Sequence, residues 1–195
     1  MERREGIRRY EPFNEQERED KKEILRQMEQ ADHILTRDNR NAHITVSAWI
    51  MDRDRKKVLM AYHNLYQSWA WLGGHADGDA DLKAVALKEI REESGLESVR
   101  FVTEDIFSLE ILTVDGHEKR GSYVPSHLHL NVTYLLEADP ELPLRIKEDE
   151  NSEIGWIGVE EIQRRSTEKW FVERIYSKLC KKAQSLRNGK LAILE

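Results

Sequence analysis

Hydrophobic positions change their period several times along the chain, and each change marks an element. Ala42 to Met51, AHITVSAWIM, is rich in β-branched and aromatic residues; the charged turn DRDRKK follows, then VLMAYH. That succession predicts two strands joined as a hairpin. VRFVTEDIFSLEILTVDG alternates over one or two further strands and turns at Asp115 and Gly116. In HLHLNVTYLLEA, Leu128, Leu130, Val132, Tyr134 and Leu136 fall on one side, with His127, His129 and Asn131 on the other. Helical spacing appears at both ends. Asn14 followed by Glu17 resembles a capping box and opens a helix carrying Ile24, Leu25 and Met28 as far as about Ala31. Thr167 to about Leu186 places Phe171, Ile175 and Leu179 on one buried stripe. A short strand around Trp156 and a helix from about Val159 precede it. Residues 1–11 have little to bury and read as a loosely held arm, and HEKRGSYVPS reads as a polar loop long enough to overhang a site.

One stretch departs from ordinary amphipathic design. GGHADGDADLKAVALKEIREESGL, Gly73 to Leu96, reads as a glycine turn feeding a helix capped by Asp79 or Asp81 and ended by Gly95. At 100° per residue Leu82, Val85 and Ala86 share an arc with Glu89, Glu92 and Glu93. Glu89 and Glu93 are like charges one turn apart, and Glu92 and Glu93 stand at the negative end of the helix dipole. Each violation costs roughly 0.3–1 kcal/mol, and a multivalent cation reverses the sign of all of them. Hard oxygen ligands without a thiolate favour Mg2+, with Mn2+ as substitute, over zinc, and suit hydrolysis of a phosphoanhydride by a metal-activated water. The alternating Asp77, Asp79 and Asp81 also resemble the opening of a calcium loop. Such a loop needs glycine at its sixth position and glutamate at its twelfth, where this chain has Leu82 and Lys88.

Gly74, Glu89, Ile90, Glu92, Glu93, Gly95 and Leu96 fall in register on the pattern G-x5-E-x7-R-E-U-x-E-E-x-G-U, with U a bulky apolar residue. The chain thereby resembles the Nudix hydrolase family over roughly Ala42 to Arg165. Ala80 stands where the pattern has its first glutamate and Lys88 where it has arginine. Lysine offers a point charge instead of a planar fork, which implies slower turnover or looser metal binding. The resemblance implies an α/β (α+β) fold, an α/β/α sandwich with a mixed sheet. It also implies hydrolysis of a nucleoside diphosphate linked to another group. Glu89, Glu92 and Glu93, with Gly74, would hold the metal, and Glu89 or a glutamate from elsewhere would be the general base. Glu150, six residues before Trp156, is the further catalytic glutamate expected, with Glu153 behind it, and Lys88 completes the catalytic set. The resemblance divides the chain into an N-terminal arm and helix (1–41), the family domain (42–165) and a C-terminal helix of that domain (166–195). Homodimers are common among its members.

Composition narrows the partners. Hydrophobic residues make up 39% of the chain, enough for a core, and charged residues 35%. The formal net charge of −6 disfavours long nucleic acid but not a small nucleotide or pyrophosphate accompanied by magnesium. The chain has no apolar run of membrane-spanning length and no signal-like start. Its single cysteine, Cys180, excludes an intrachain disulfide; a cytoplasmic protein is expected. Cys180 has no adjoining base and reads as inert, which separates the chain from the cysteine-using isopentenyl diphosphate isomerases. Tyr66, Trp69 and Trp71 read as core and rim packing or as a platform for a base, and His75 as a turn residue or a phosphate contact. His127 and His129, two apart on one strand face, suit a polar cleft wall, a phosphate contact or zinc. A third zinc ligand is not evident nearby in sequence. Two other classes compete with the hydrolase: a non-catalytic Nudix-like sensor of nucleotides or nucleotide sugars, favoured by Ala80 and Lys88, and a protein-binding scaffold built on the charged N-terminal helix.

Overall fold

The computed structural model describes residues 2–119 and 121–187. Met1, Arg120 and residues 188–195, which the expected N-terminal arm, the overhanging loop and the C-terminal helix range include, lie outside the described residues. The elements in order are α1 (Glu2–Arg9), α2 (Glu15–Gln30), β1 (Ala42–Met51), β2 (Lys57–His63), β3 (Ser68–Ala70), β4 (Leu72–His75) and α3 (Leu82–Ser94). There follow β5 (Arg100–Phe101), β6 (Ser108–Val114), β7 (His117–Lys119), β8 (Ser122–Val124), β9 (His127–Glu137), β10 (Asn151–Gly158), α4 (Ile162–Arg165), a π-helical segment (Phe171–Tyr176) and α5 (Ser177–Arg187). Eight strands form one mixed sheet with the path β10-β2-β1-β9-β5, to which β3, β4 and β6 add by pairing with β2, β1 and β9.

The parallel pairing of β1 with β9 is the sheet's axis, ten residues in register from Ala42 opposite Leu128 to Met51 opposite Glu137. Both strands sit in the middle of the sheet, so both faces must be covered. The alternation then sorts side chains between two cores. Ile44, Val46, Ala48, Leu130, Val132 and Tyr134 pack with α1, α2 and α3. Trp49, Met51 and Leu135 pack with Ile175, Tyr176 and Leu179 of the C-terminal helical segment. This is the α/β/α layering expected of the chain.

Four local expectations are corrected. The arm at 1–11 is a packed helix in its described part: Ile7 and Tyr10, three apart on one face, are both buried. Gly73 and Gly74 do not form a turn; they lie inside β4, paired with Ser47 and Val46, and the turn comes at Asp77 and Gly78, both with positive φ. The segment HEKRGSYVPS folds as the β7–β8 hairpin, not a loop. The C-terminal helix contains a π-helical turn at Phe171–Tyr176, where the Ser177 hydroxyl donates to the Val172 carbonyl five residues back (2.7 Å). That insertion adds Val172 and Tyr176 to the buried set beside Ile175 and Leu179.

Both terminal segments are tied to the sheet by buried charge. Asn14 caps α2 by accepting from the Glu17 amide (2.9 Å), as the capping pattern predicts. The Glu17 carboxylate accepts from the Phe13 amide (2.7 Å), and the two ammonium groups of α5, Lys178 and Lys182, approach it at 3.1 Å and 3.2 Å. Burial pushes the Glu17 pKa up, but Lys178 and Lys182 outweigh that and hold it below the ordinary carboxylate value. Lys178 also donates to Glu110 of β6 (2.9 Å). Glu110 in turn accepts from Thr133 (2.8 Å) and Asn131 (3.2 Å) of β9, and Asn131 accepts from Thr45 (2.9 Å) and Ser47 (3.0 Å) of β1. A continuous polar chain therefore runs from α2 through the C-terminal helix to the sheet's central strands.

Removing one member of such a network strands a buried charge. Glu110→Ala is expected to lower the unfolding free energy by about 3–5 kcal/mol, read from urea denaturation midpoints. A loss below about 1 kcal/mol would show that the buried lysine finds water or another partner.

Candidate functional site

Helix α3 opens and closes as its sequence predicts. The Asp81 carboxylate accepts from the Lys83 and Ala84 amides (both 3.1 Å), and Gly95 ends the helix with φ 72°. Leu82, Val85, Ala86 and Ile90 bury against the sheet, and the same face continues into Glu89 and Glu93, both buried; Glu92, at the edge of that face, is exposed. The carboxylates come to rest against β4. The Gly73 amide donates to Glu93 Oε2 (2.9 Å), while a Cβ on Gly74 would stand 2.4 Å from the Glu89 carboxyl carbon. A Cβ on Gly73 would meet the Val46 carbonyl oxygen at 2.3 Å. The two glycines are needed for close approach, of a carboxylate at Gly74 and of the neighbouring strand at Gly73.

These groups line one cleft of about 630 Å3. Its walls bring together Gly74, His75, Lys88, Glu89, Glu92, Glu93, His127, His129, Glu150 and Tyr66, but not Trp69. Trp69 is buried in the second core, edge-on to Tyr62 with ring centroids 6.0 Å apart and with the Arg165 guanidinium 5.8 Å from its ring. Trp71, two residues on, faces the cleft instead, with Phe171 and Tyr176. Glu150 is held by Lys147 (3.0 Å), whose ammonium also lies 4.0 Å from Glu92. Lys88 stands 3.8 Å from Glu89 and 3.6 Å from Glu92, more than half exposed, the unforked contact expected of a lysine. Ala80 is exposed in the loop before α3 and does not line the cleft. Cys180 lies among core side chains, and burial pushes its thiol up to about 12.

Burial dominates the electrostatics. It raises the Glu93 pKa to about 8, with the charges of Glu89 and Glu150 adding to the effect against the Gly73 amide, and it raises that of Glu89. Among the histidines of the cleft it lowers the His129 pKa to about 2, helped by the neighbouring His75, His43 and His127, and lowers that of His43.

Sequence reasoning missed His43, Lys147, Phe171 and Tyr176. A signal for the first was present: His43, Thr45 and Ser47 alternate along β1 as His127, His129 and Asn131 do along β9. The parallel register sets His43 opposite His129. Lys147 and Phe171 come from a loop and a π turn whose placement has no local code.

Gly73→Ala is expected to destabilise the fold, because the new Cβ meets backbone. Gly74→Ala is expected to keep the melting temperature within a few degrees while displacing Glu89; equal melting behaviour of the two would contradict this geometry. In metal-free protein, folded and unfolded Glu93 are both protonated below pH 4.5, and between 4.5 and about 8 only the unfolded state ionises. Its contribution to stability therefore falls as pH rises across that window. Glu93→Gln should flatten the decline in melting temperature over the same range; an unchanged slope would sink the assignment.

Comparison with known proteins agrees with this architecture. The NUDIX domain model matches residues 41–179, which carries the match beyond Arg165 into the C-terminal helical segment. No curated protein sequence matches. Among solved structures, a C. elegans Ap4A hydrolase in a binary complex superposes with a TM-score of 0.54 at 17% identity, covering 75% of this chain and 98% of that one. The MutT protein of Methanosarcina mazei Go1 gives the same four values. The NUDIX domain of Shewanella oneidensis NrtR, complexed with ADP ribose, superposes at 0.52 and 14% identity over 83% of this chain and 97% of that domain. At such identities these structures share the fold. With the family model spanning most of the chain and the glutamates of its signature helix gathered in one cleft, the protein belongs to the Nudix family.

Proposed function

We propose that the chain hydrolyses a phosphoanhydride bond in a small nucleoside diphosphate linked to a second group, with Mg2+, or Mn2+ in its place, as the required ion. The observation that carries this reading is the convergence of Glu89, Glu92, Glu93 and Glu150 on one cleft beside the glycine pair of β4. The donor set fits a hard divalent cation. All four groups offer oxygen, two are buried like charges one helical turn apart, and Gly74 leaves the space the Glu89 carboxylate fills. Bound magnesium supplies a water activated for attack and offsets charge on the phosphate oxygens.

The chain's own groups do the remainder. Glu92 and Glu93, with Glu89 and the Gly74 backbone, would hold the ion. Glu89, desolvated against β4, accepts the proton of the attacking water, with Glu150 of the same cleft as the alternative base. Lys88 and Lys147 sit among the acids and balance the charge of the diphosphate. Trp71 and Phe171, ring centroids 6.4 Å apart and perpendicular, offer an aromatic surface for the base, with Tyr66 at the rim. A cleft of about 630 Å3 is of a size for such a molecule and excludes a polymer from its interior. ADP-ribose and diadenosine tetraphosphate, the molecules named with two of the structural relatives, belong to this chemical class and head the panel to be tried.

Glu92→Gln and Glu93→Gln should each lower metal-dependent phosphate or nucleotide release by at least about 100-fold, with circular dichroism unchanged. Undiminished turnover in both variants would refute the metal assignment. A chain that binds panel members by calorimetry yet never consumes them with Mg2+ or Mn2+ would be a sensor instead, with Ala80 and Lys88 as the departures to restore.

A further inference from the structure

Four imidazoles crowd together on the wall of the cleft. His43 has ring centroids 5.1 Å from His75, 4.9 Å from His127 and 5.1 Å from His129, and His75 and His129 are 4.9 Å apart. Three elements supply them: His43 opens β1, His75 ends β4, and His127 and His129 open β9. One nitrogen from each of His43, His75 and His129 lies within 4.8 Å of the other two. An ion held at about 2.0–2.1 Å by three imidazoles sets their nitrogens roughly 3.3 Å apart, so modest ring rotations close this cluster.

The hydrogen bonds fix which nitrogens are available. His43 Nδ1 lies 3.0 Å from the Asn39 carbonyl oxygen, an acceptor only, so Nδ1 carries the proton and Nε2 presents a lone pair. That Nε2 is buried and has no partner, in a side chain 4% exposed. A buried polar atom left in this way is costly, and a metal ion is the partner that a bare imidazole lone pair best serves. His127 is oriented alike, with Nδ1 2.9 Å from the Pro125 carbonyl, so its Nε2 accepts from His129 Nε2 (3.2 Å) and His129 offers its lone pair at Nδ1. A backbone carbonyl behind a ring nitrogen is the usual support of a ligating histidine.

We propose that His43, His75 and His129 bind one divalent transition cation of the zinc class, with His127 beside them, at a site separate from the oxygen-donor set of α3. Imidazole selects zinc-class ions and carboxylate selects magnesium, so one cleft sorts two cations by donor type. Three protein ligands leave a fourth position open toward the cleft, where water or an anionic oxygen of the bound molecule completes the shell. The histidine site is independent of the hydrolytic reading and stands or falls separately.

The test is cobalt titration of the full chain, without a histidine tag and stripped of metal, in a large excess of Mg2+ that fills the carboxylate site. One Co2+ per chain is expected, with the intense visible absorption of a four- or five-coordinate nitrogen site, displaced by stoichiometric Zn2+. His129→Ala and His75→Ala should each weaken cobalt binding by at least about 100-fold. His75 is only half-buried, so its loss spares the core, and a melting curve on each variant verifies folding. A Glu92→Gln, Glu93→Gln double variant should keep the cobalt signal. Absence of a cobalt or zinc site in the unsubstituted chain would overturn the proposal. So would a signal that survives both histidine variants, or one lost with the glutamates.

Discussion

Everything at the site depends on how closely the last turns of α3 press on β4. A carboxylate at Glu89 occupies the space where any side chain at position 74 would begin, and the Gly73 amide turns toward Glu93. The glycines therefore do two jobs with one property. Absence of Cβ lets β4 lie against β1, and it lets acids from a helix on one face of the sheet reach a cleft that opens beside it. Burying acids in this way is unfavourable for the metal-free chain, as the raised Glu93 pKa records, and a bound cation removes the penalty. Under the proposed metal role, stability and function pull in opposite directions at these residues.

The polar chain from Glu17 to Ser47 gives the cleft a second support. Its ions are buried, so its worth lies less in net stabilisation than in having one satisfied arrangement. Glu17 belongs to α2 and Lys178 and Lys182 to α5, so segments far apart in sequence are fixed to Glu110 and, through Asn131, to the strand pair that carries Thr45 and Ser47 into the cleft. Among the described residues, no helix is long and apolar enough to cross a membrane. The N-terminal helix spends its apolar stripe on the first core, with Ile24 and Met28 buried there.

Legibility followed locality. The capped helix α3, the β1–β2 hairpin and the clean alternation of β9 were readable because the relevant forces act over a few residues: caps, turns and side-chain period. The family signature singled out Glu89, Glu92 and Glu93, which line one cleft. Wrong readings arose where local rules admit two outcomes. Paired glycines suit a turn or a close approach, and only the partner strand decides; a mixed-charge arm is loose unless two apolar residues, here Ile7 and Tyr10, find a core. Trp69 and Trp71 have similar sequence surroundings, yet the break between β3 and β4 sends one into the core and the other to the cleft. The place of His43 was hidden for the same reason, since it meets His129 only through a pairing 86 residues apart. That pairing turns a two-histidine pattern of little weight into a cluster with three ligating atoms in reach of one another.

The acids and the imidazoles of the cleft thus differ in donor chemistry while sharing strand β4, Gly74 meeting Glu89 and His75 the other imidazoles. A manganese-soaked crystal measured at the manganese absorption edge tests the central claim most directly. The account predicts an anomalous peak within about 2.5 Å of carboxylate oxygens from Glu89, Glu92 or Glu93, beside the Gly74 backbone. A manganese peak confined to the histidines, or a cleft with no peak at saturating manganese, would contradict it.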